Sequence, residues 1–167
     1  MKLLLRLKSW QLFILIVIPL LFQPTNLVFE IIVLFGYGVY LSWIFAIGST
    51  MHALLLAKLK PKIIYFKISC LSTAVIILPT CFYNPFAFLD PFAGGIKACV
   101  FWVFFAFVIT SMFYSFGFAA RMLQSRIDGE IANRSDSFRS FCYIWFFPIG
   151  IWYIQPMVKR ALQEDYK

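Results

Sequence analysis

Four long apolar stretches separated by short polar connections organise most of this chain. They cover about residues 5–22, 27–49, 63–82 and 98–119. A transmembrane helix needs about 20 mostly apolar residues, so each stretch is long enough to cross a membrane when flanking Lys or Arg side chains reach the interface. Residues 50–59 could carry the second helix beyond the membrane. The pattern therefore predicts four transmembrane helices.

After the fourth stretch the pattern becomes that of an amphipathic helix. One apolar stripe with a spacing of four residues predicts a helix over residues 119–134. The Ser-Asp-Ser sequence at 135–137 then offers N-cap side chains for a new helix. The stripe consists of Ala119, Leu123, Ile127 and Ile131.

The last apolar run, Phe141–Ile154, is too short for an ordinary membrane crossing. Its 14 residues make about 21 Å of helix, against a hydrocarbon core of about 30 Å. Pro148 disfavours helix at the preceding residue, and Gly150 permits a tight reversal. We therefore expect a re-entrant or interfacial segment that is helical over 138–147 and turns near 148–150.

A last amphipathic helix is expected to follow over Pro156–Leu162, since proline is favoured in the first turn of a helix. The alternative is a fifth transmembrane helix kinked at Pro148, which would place the C-terminus on the opposite side of the membrane. Pro148, Gly150 and Gln155 are the candidate functional residues of this region.

The composition supports a membrane protein. Hydrophobic residues make up 62% of the 167 residues, charged residues make up 13%, and the mean hydropathy is +0.85. Soluble domains are typically about 45–50% apolar and about 25% charged. The first 26 residues resemble a signal peptide but lack a small-residue cleavage site, so we expect an uncleaved first helix. The fold class predicted is an all-α integral membrane bundle.

The net charge of +8 comes from basic residues that cluster beside the apolar stretches. Because membrane topology explains this clustering, we expect no nucleic acid as a partner. Before the C-terminal tail, eleven basic residues fall on one side of the predicted membrane and only Lys97 on the other. Positively charged connections remain in the cytoplasm, so the N-terminus is predicted inside, and a re-entrant tail keeps the C-terminus there. The eleven are Lys2, Arg6, Lys8, Lys58, Lys60, Lys62, Lys67, Arg121, Arg126, Arg134 and Arg139.

These predictions divide the chain into three parts. Residues 1–120 form the four-helix transmembrane bundle, 121–137 form a cytoplasmic amphipathic helix and cap, and 138–167 form the re-entrant or short membrane segment with its basic tail. Two sequences, LRLKSWQLFILIVIPLLFQ from Leu5 and FRSFCYIWFFPIGIWYIQP from Phe138, resemble a family of small uncharacterised bacterial membrane proteins with about four spans. The resemblance implies a bacterial inner membrane and assigns no activity or site residue.

Glu30 is the acidic residue that lies inside a predicted span. Intramembrane acids are costly and often functional, although Glu30 is close enough to the outer end to reach the interface. It shares one helix face with small residues, which permit close helix packing, so it is expected to face the bundle. The small residues of this helix are Gly38, Ser42, Ala46 and Thr50, and those of the fourth helix are Ser111, Ser115 and Ala119. Packing of these two helices, or homodimerisation, would use both sets.

Other candidates have simpler explanations. Lys67 is expected to reach the interface, and His52 lacks partners at the spacing of a zinc site. Cys81 and Cys99 both lie on the predicted outer side, where a disulfide is permitted, but buried thiols are the simpler expectation. No metal or cofactor is predicted.

Motifs for phosphate binding, zinc proteolysis and serine hydrolysis do not occur in the sequence. Three hypotheses follow. The first is a non-enzymatic membrane protein with an accessory, assembly or immunity-type role, acting through protein or lipid partners. The second is a small transporter or channel, either as a single chain or as an oligomer. The third is a lipid-directed membrane enzyme that uses Glu30 or Asp90 as an acid, although Asp90 is more simply a turn residue.

Overall fold

The structure, a computed structural model, describes residues 2–21, 27–55, 60–82 and 95–163, apart from the side chains of Lys2, residues 76–82 and Lys97. All regular secondary structure in these residues is helical, which confirms the all-α prediction. The seven helices are α1 (Lys2–Arg6), α2 (Ser9–Leu21), α3 (Leu27–Leu54), α4 (Ile64–Phe82), α5 (Gly95–Asp128), α6 (Arg134–Trp145) and α7 (Phe147–Gln163).

Two helices are long and apolar enough to cross a membrane. They are α3 and, within α5, the stretch Ala98–Asp128. Apolar stretches in α2 and α4, Ser9–Leu21 and Ile64–Val75, are shorter. These two helices are compatible with the prediction of a helical membrane protein.

The first predicted helix is interrupted, which corrects the prediction of one continuous helix over 5–22. Helix α1 ends at Arg6, and α2 begins at Ser9 with only 13 residues. The Gln11 side chain accepts a hydrogen bond from the Lys8 backbone N–H at 2.9 Å, and the Lys8 carbonyl accepts from the N–H of Leu12 at 3.1 Å. The first bond is the N3 half of a capping box and the second is the first backbone bond of α2, so a new helix starts at this point.

Helix α3 lies at the centre and packs against α1, α2, α4 and α5. Two of its glycines permit close approach of the neighbours. A Cβ atom on Gly36 would lie 2.8 Å from the Cβ of Pro19 in α2, and one on Gly48 would overlap the Phe66 ring of α4. Both contacts are shorter than carbon atoms tolerate, so these positions set the distances between α3 and its neighbours.

Helix α5 is one helix of 34 residues that includes most of the stretch predicted as an amphipathic helix continuing from the fourth span. Ala119 and Leu123 are fully buried within the bundle, whereas Ile131 lies beyond the helix and is exposed. Gly129 adopts a φ of 71°, a conformation that few residues other than glycine tolerate, directly after Asp128. The predicted helix over 119–134 is therefore wrong at its C-terminal end.

Helices α6 and α7 form a hairpin with its turn at Phe146. The turn was predicted near 148–150 and lies earlier, because Pro148 occupies the first turn of α7, where its missing N–H costs nothing. The new helix begins at Arg134 with Asn133 as N-cap, not within 135–137. The Asp136 carboxylate accepts a hydrogen bond from the Asn133 N–H at 3.2 Å.

The predicted break before the last helix is also absent: α7 continues through Pro156 to Gln163. Its buried face is formed by Gly150, Ile151, Ile154, Gln155, Val158 and Ala161. Helix α7 packs against α1, α2 and α5 as well as α6, and α6 packs against α5.

The hairpin enters the bundle from one end and turns beside its middle. The Tyr40 ring, halfway along α3, lies 4.7 Å from the Phe147 ring beside the turn, and Trp145 stacks on Phe113 of α5 at 4.2 Å. Away from the turn, near the C-terminal ends of α3 and α7, the Arg126 guanidinium contacts the carbonyls of Leu54 and Ala161. We call the end of the bundle that holds Leu54, Arg126 and Ala161 the basic end.

Candidate functional site

Gln155 is the most extensively bonded buried side chain in the described part of the chain. It is fully buried, and its Oε1 accepts a hydrogen bond from Trp43 Nε1 at 3.1 Å. Its Nε2 lies 3.2, 3.0 and 2.9 Å from the carbonyl oxygens of Leu4, Leu5 and Leu7. These carbonyls have no helical partner because α1 ends at Arg6, so one amide caps α1 and joins it to α3 and α7.

A second buried bond connects α3 to the hairpin. The Tyr40 hydroxyl donates to the Ile144 carbonyl oxygen at 2.8 Å. Ile144 lies in the last turn of α6, where carbonyl groups lack intrahelical partners. Tyr40 and Trp43 therefore satisfy polar groups of α6 and α7 from one face of α3, and we call Tyr40, Trp43, Ile144 and Gln155 the hairpin clasp.

Gly150 is a packing position rather than a turn residue. A Cβ atom placed on it would coincide with the backbone carbonyl of Tyr143 in α6. Its N–H donates to the Phe146 carbonyl at 2.8 Å, which starts the helical bonding of α7. Only a residue without a side chain fits between the two helices at this point.

Arginines organise the basic end. Arg126 Nε and Nη1 lie 3.4 and 3.5 Å from the carbonyl oxygens of Ala161 and Leu54. Arg121 Nε donates to the Ala132 carbonyl at 3.0 Å, and the Ala132 N–H donates to Ser125 Oγ at 3.0 Å. Cations near the C-terminal ends of helices interact favourably with the helix dipole and the free carbonyls, so these side chains join the ends of α3, α5 and α7.

Glu30 is half-buried in the first turn of α3. A carboxylate at the N-terminus of a helix is stabilised by the helix dipole, which provides a structural role for this acid. Its neighbour Ile31 is exposed. The expectation that Glu30 faces the bundle stays a prediction.

The small residues of α3 do not form one packing stripe. Gly38 is exposed, and no atom lies within 4 Å of the place its Cβ would take. Ala46 is fully buried, while Ser42 and Thr50 are half-buried. A spacing of four residues drifts around a helix of 3.6 residues per turn, which separates the ends of such a stripe.

The small residues of α5 lie in the bundle, where the two serines contact α4. Ser69 Oγ donates to the Ser111 carbonyl at 2.6 Å, and Ser115 Oγ donates to Ser69 Oγ at 3.1 Å. Cys70 Sγ is 3.5 Å from Ser115 Oγ. Ala119 is fully buried. Helices α3 and α5 pack together, but Ser111 and Ser115 form a hydroxyl contact between α4 and α5.

Of the remaining candidates, His52 makes a structural contact, whereas Lys67 and Cys99 are exposed. His52 Nε2 lies 2.8 Å from the Pro61 carbonyl oxygen, and Lys67 is exposed. Cys99 is an exposed free thiol; the side chain of Cys81 and the whole of Asp90 fall outside the described residues. Within the described ranges, no group of three His, Cys, Asp or Glu side chains could hold a metal ion.

Sequence reasoning named Gln155 but missed Tyr40 and Trp43, because aromatic residues in a predicted span are ordinarily assigned to lipid or to the interface. A signal was present: both side chains carry a hydrogen-bond donor in the interior of an apolar helix, where an unpaired polar group is costly.

Over the residues described, the fold and the clasp define a helical protein with two helices long and apolar enough to cross a membrane and a hairpin that is tied to the first of them. Comparison with protein-family models, curated proteins and solved structures found no match.

Proposed function

We propose that the chain is a multi-pass protein of the bacterial inner membrane with four crossings. The first is formed by α1 and α2 together, because the 13 residues of α2 alone are too few, and the other three are α3, α4 and α5. The apolar side chains that these helices expose support this arrangement, since lipid would cover them without cost. The resemblance of the two terminal segments supports the bacterial membrane. Exposed apolar residues on the four crossings include Ile14, Ile18, Phe35, Ile68, Leu71, Trp102, Val103 and Phe107.

On this proposal, the α6–α7 hairpin is re-entrant. Its turn lies beside the middle of α3, and both its first residue and its last turn lie at or near the basic end. Arginine and lysine enrichment favours the cytoplasmic side for this end. The hairpin therefore enters from the cytoplasm and returns to it.

Three single cysteines in a background without native cysteines test this topology. We expect Ile96→Cys, at a residue that is 82% exposed near the start of α5, to react with a membrane-impermeant maleimide in intact cells. Lys60→Cys and Gln163→Cys should react only after lysis. Labelling of Gln163→Cys in intact cells would instead establish a fifth crossing, and labelling of Lys60→Cys would reverse the orientation.

We propose further that the protein acts without catalysis, through protein or lipid partners, in an accessory, assembly or immunity-type role. One observation carries this: in the described residues, every buried side-chain nitrogen and oxygen has a hydrogen-bond partner. Catalytic and ligand sites usually keep polar groups available for the substrate. Here the buried polar groups are used in holding helices together.

Purification in mild detergent followed by native mass spectrometry tests the proposed role. We expect a complex with a second membrane protein at fixed stoichiometry, and proteoliposomes of the purified chain that are impermeable to ions. The Gly38→Ala variant, altered at an open position, serves as a matched control that should retain both properties. Isolation of the chain alone with a turnover of phospholipid would contradict a non-catalytic role.

The hairpin favours one second candidate, a small oligomeric transporter or channel. Re-entrant segments occur at membrane depth where they line cavities. A homo-oligomer that conducts ions in the same proteoliposomes would establish this function in place of the first.

A further inference from the structure

The outer face of the hairpin carries an arginine that contacts one of two stacked tyrosines. The rings of Tyr143 in α6 and Tyr153 in α7 lie 4.6 Å apart with an angle of 7° between their planes. Arg139 Nε donates to the Tyr143 hydroxyl at 3.2 Å, and the guanidinium carbon lies 5.6 Å from the centre of the same ring. Both contacts orient a charged group that is otherwise exposed to the surroundings.

The charge of Arg139 is not neutralised by a described carboxylate. The nearest acid in the sequence, Asp136, accepts hydrogen bonds from the Asn133 N–H and the Ser135 hydroxyl instead. Because Tyr143 uses only Nε, the two terminal nitrogens of Arg139 remain available. Their fork matches the spacing of two phosphate oxygens.

Arg139 lies between the deep end of the hairpin and the basic end, which is on the cytoplasmic side of the middle of the bundle. Ile144, bonded to Tyr40 at the middle of α3, marks the deep end of the hairpin. Arg139 precedes it by five residues, which is about 7.5 Å along a helix toward the basic end.

Between Arg139 and the turn, the surface of the hairpin is apolar, which favours a lipid over a free anion as the ligand. Phe146, Ile149 and Trp152 are exposed on the deeper part of the hairpin. A ligand that contacts both this surface and the arginine fork needs a phosphate attached to an acyl chain. The net positive charge of the site favours an anionic lipid over a zwitterionic one.

We propose that Arg139, Tyr143 and Tyr153 form a binding site for the phosphate of an anionic phospholipid in the cytoplasmic leaflet. The tyrosine stack fixes the direction of the guanidinium, and the apolar side chains toward the turn contact the acyl chains. This inference rests on the proposed membrane placement of the hairpin.

Native mass spectrometry of the full chain released from nanodiscs tests the site, with phosphatidylglycerol compared with phosphatidylcholine. We expect retained phosphatidylglycerol, weakened roughly tenfold by Arg139→Gln, as the loss of a charge-assisted contact implies. Arg134→Gln removes an exposed charge from the same helix and should leave binding unchanged. Tyr153→Leu should weaken binding less than Arg139→Gln does, because it loosens the stack and keeps the charge.

Equal binding by Arg139→Gln and the unmodified chain would overturn the site, and so would equal losses from Arg134→Gln and Arg139→Gln, since the effect would then be general charge attraction. Displacement of the lipid by millimolar inorganic phosphate would make it a free-anion site and also overturn the proposal. Thermal unfolding of each variant checks folding; if Arg139→Gln does not fold, Arg139→Lys, which keeps the charge and loses the fork, replaces it and should bind more weakly than the unmodified chain. Failure of membrane placement is separate: the unmodified chain would then be absent from the membrane fraction.

Discussion

Replacing Gln155 with leucine is expected to lower the free energy of unfolding by roughly 2–4 kcal/mol, because it leaves several buried polar groups without partners. The Trp43 indole N–H and the carbonyls of Leu4, Leu5 and Leu7 all lose the same amide. Leucine has a similar volume, so the loss is of hydrogen bonds rather than of packing. The expected structural result is release of α1 from α7 while α3 and α5 remain packed.

Thermal unfolding in detergent measures the stability, and hydrogen exchange measures the release of the α1–α2 connection. Gln163→Leu is the matched control, since this residue is exposed at the end of the same helix. Trp43→Phe removes the indole N–H and also part of a fully buried ring, so a cavity adds to the lost hydrogen bond. Its effect should not add fully to that of Gln155→Leu, because both changes break the same contact. A Gln155→Leu protein as stable as the control, with unchanged exchange in residues 4–7, would show that the clasp does not hold α1.

The sequence was sufficient to predict the long helices. Uninterrupted apolar residues predicted α3 and α4 to within a few residues, and much of α5, because hydropathy and helix period are local properties. The break at Leu7–Lys8 could not be predicted in this way. It depends on carbonyl groups that Gln155 caps from about 150 residues away in the chain, and such a tertiary contact leaves no local pattern.

For the candidate residues too, the sequence identifies the residue type but not its tertiary contact. Gly150 was a candidate because it permits a tight reversal within the last apolar run, and Gln155 directly follows that run. The roles of both residues depend on which helix lies opposite. Gly38 satisfied a small-residue pattern and yet meets no neighbouring helix, whereas Gly36 and Gly48 do. The sequence shows which residues are small enough to permit close helix packing. The position of the neighbouring helix determines which of these residues lie at a helix contact.

Gly150→Ala is expected to be the most destabilising single methyl addition in the hairpin, with a loss of roughly 3 kcal/mol or more, at the upper end of overpacking effects. The new Cβ would coincide with the Tyr143 carbonyl, which is backbone and cannot rotate away as a flexible side chain could. Helices α6 and α7 must therefore separate. Separation would also pull Ile144 from Tyr40 and Tyr153 from Tyr143.

Gly38→Ala provides the matched control because it adds the same methyl group to a helical glycine with open space around it. Alanine favours helix over glycine by up to about 1 kcal/mol, so this variant should be as stable as the unmodified protein or slightly more so. The two thermal unfolding curves then separate steric contact from helix propensity. If Gly150→Ala also unfolds at or above the temperature of the unmodified protein, helix propensity outweighs contact at both positions, and the close crossing of α6 and α7 is wrong. A lower unfolding temperature for Gly150→Ala alone assigns Gly150 to the helix crossing instead of to the turn, because a turn residue without positive φ would accept alanine readily.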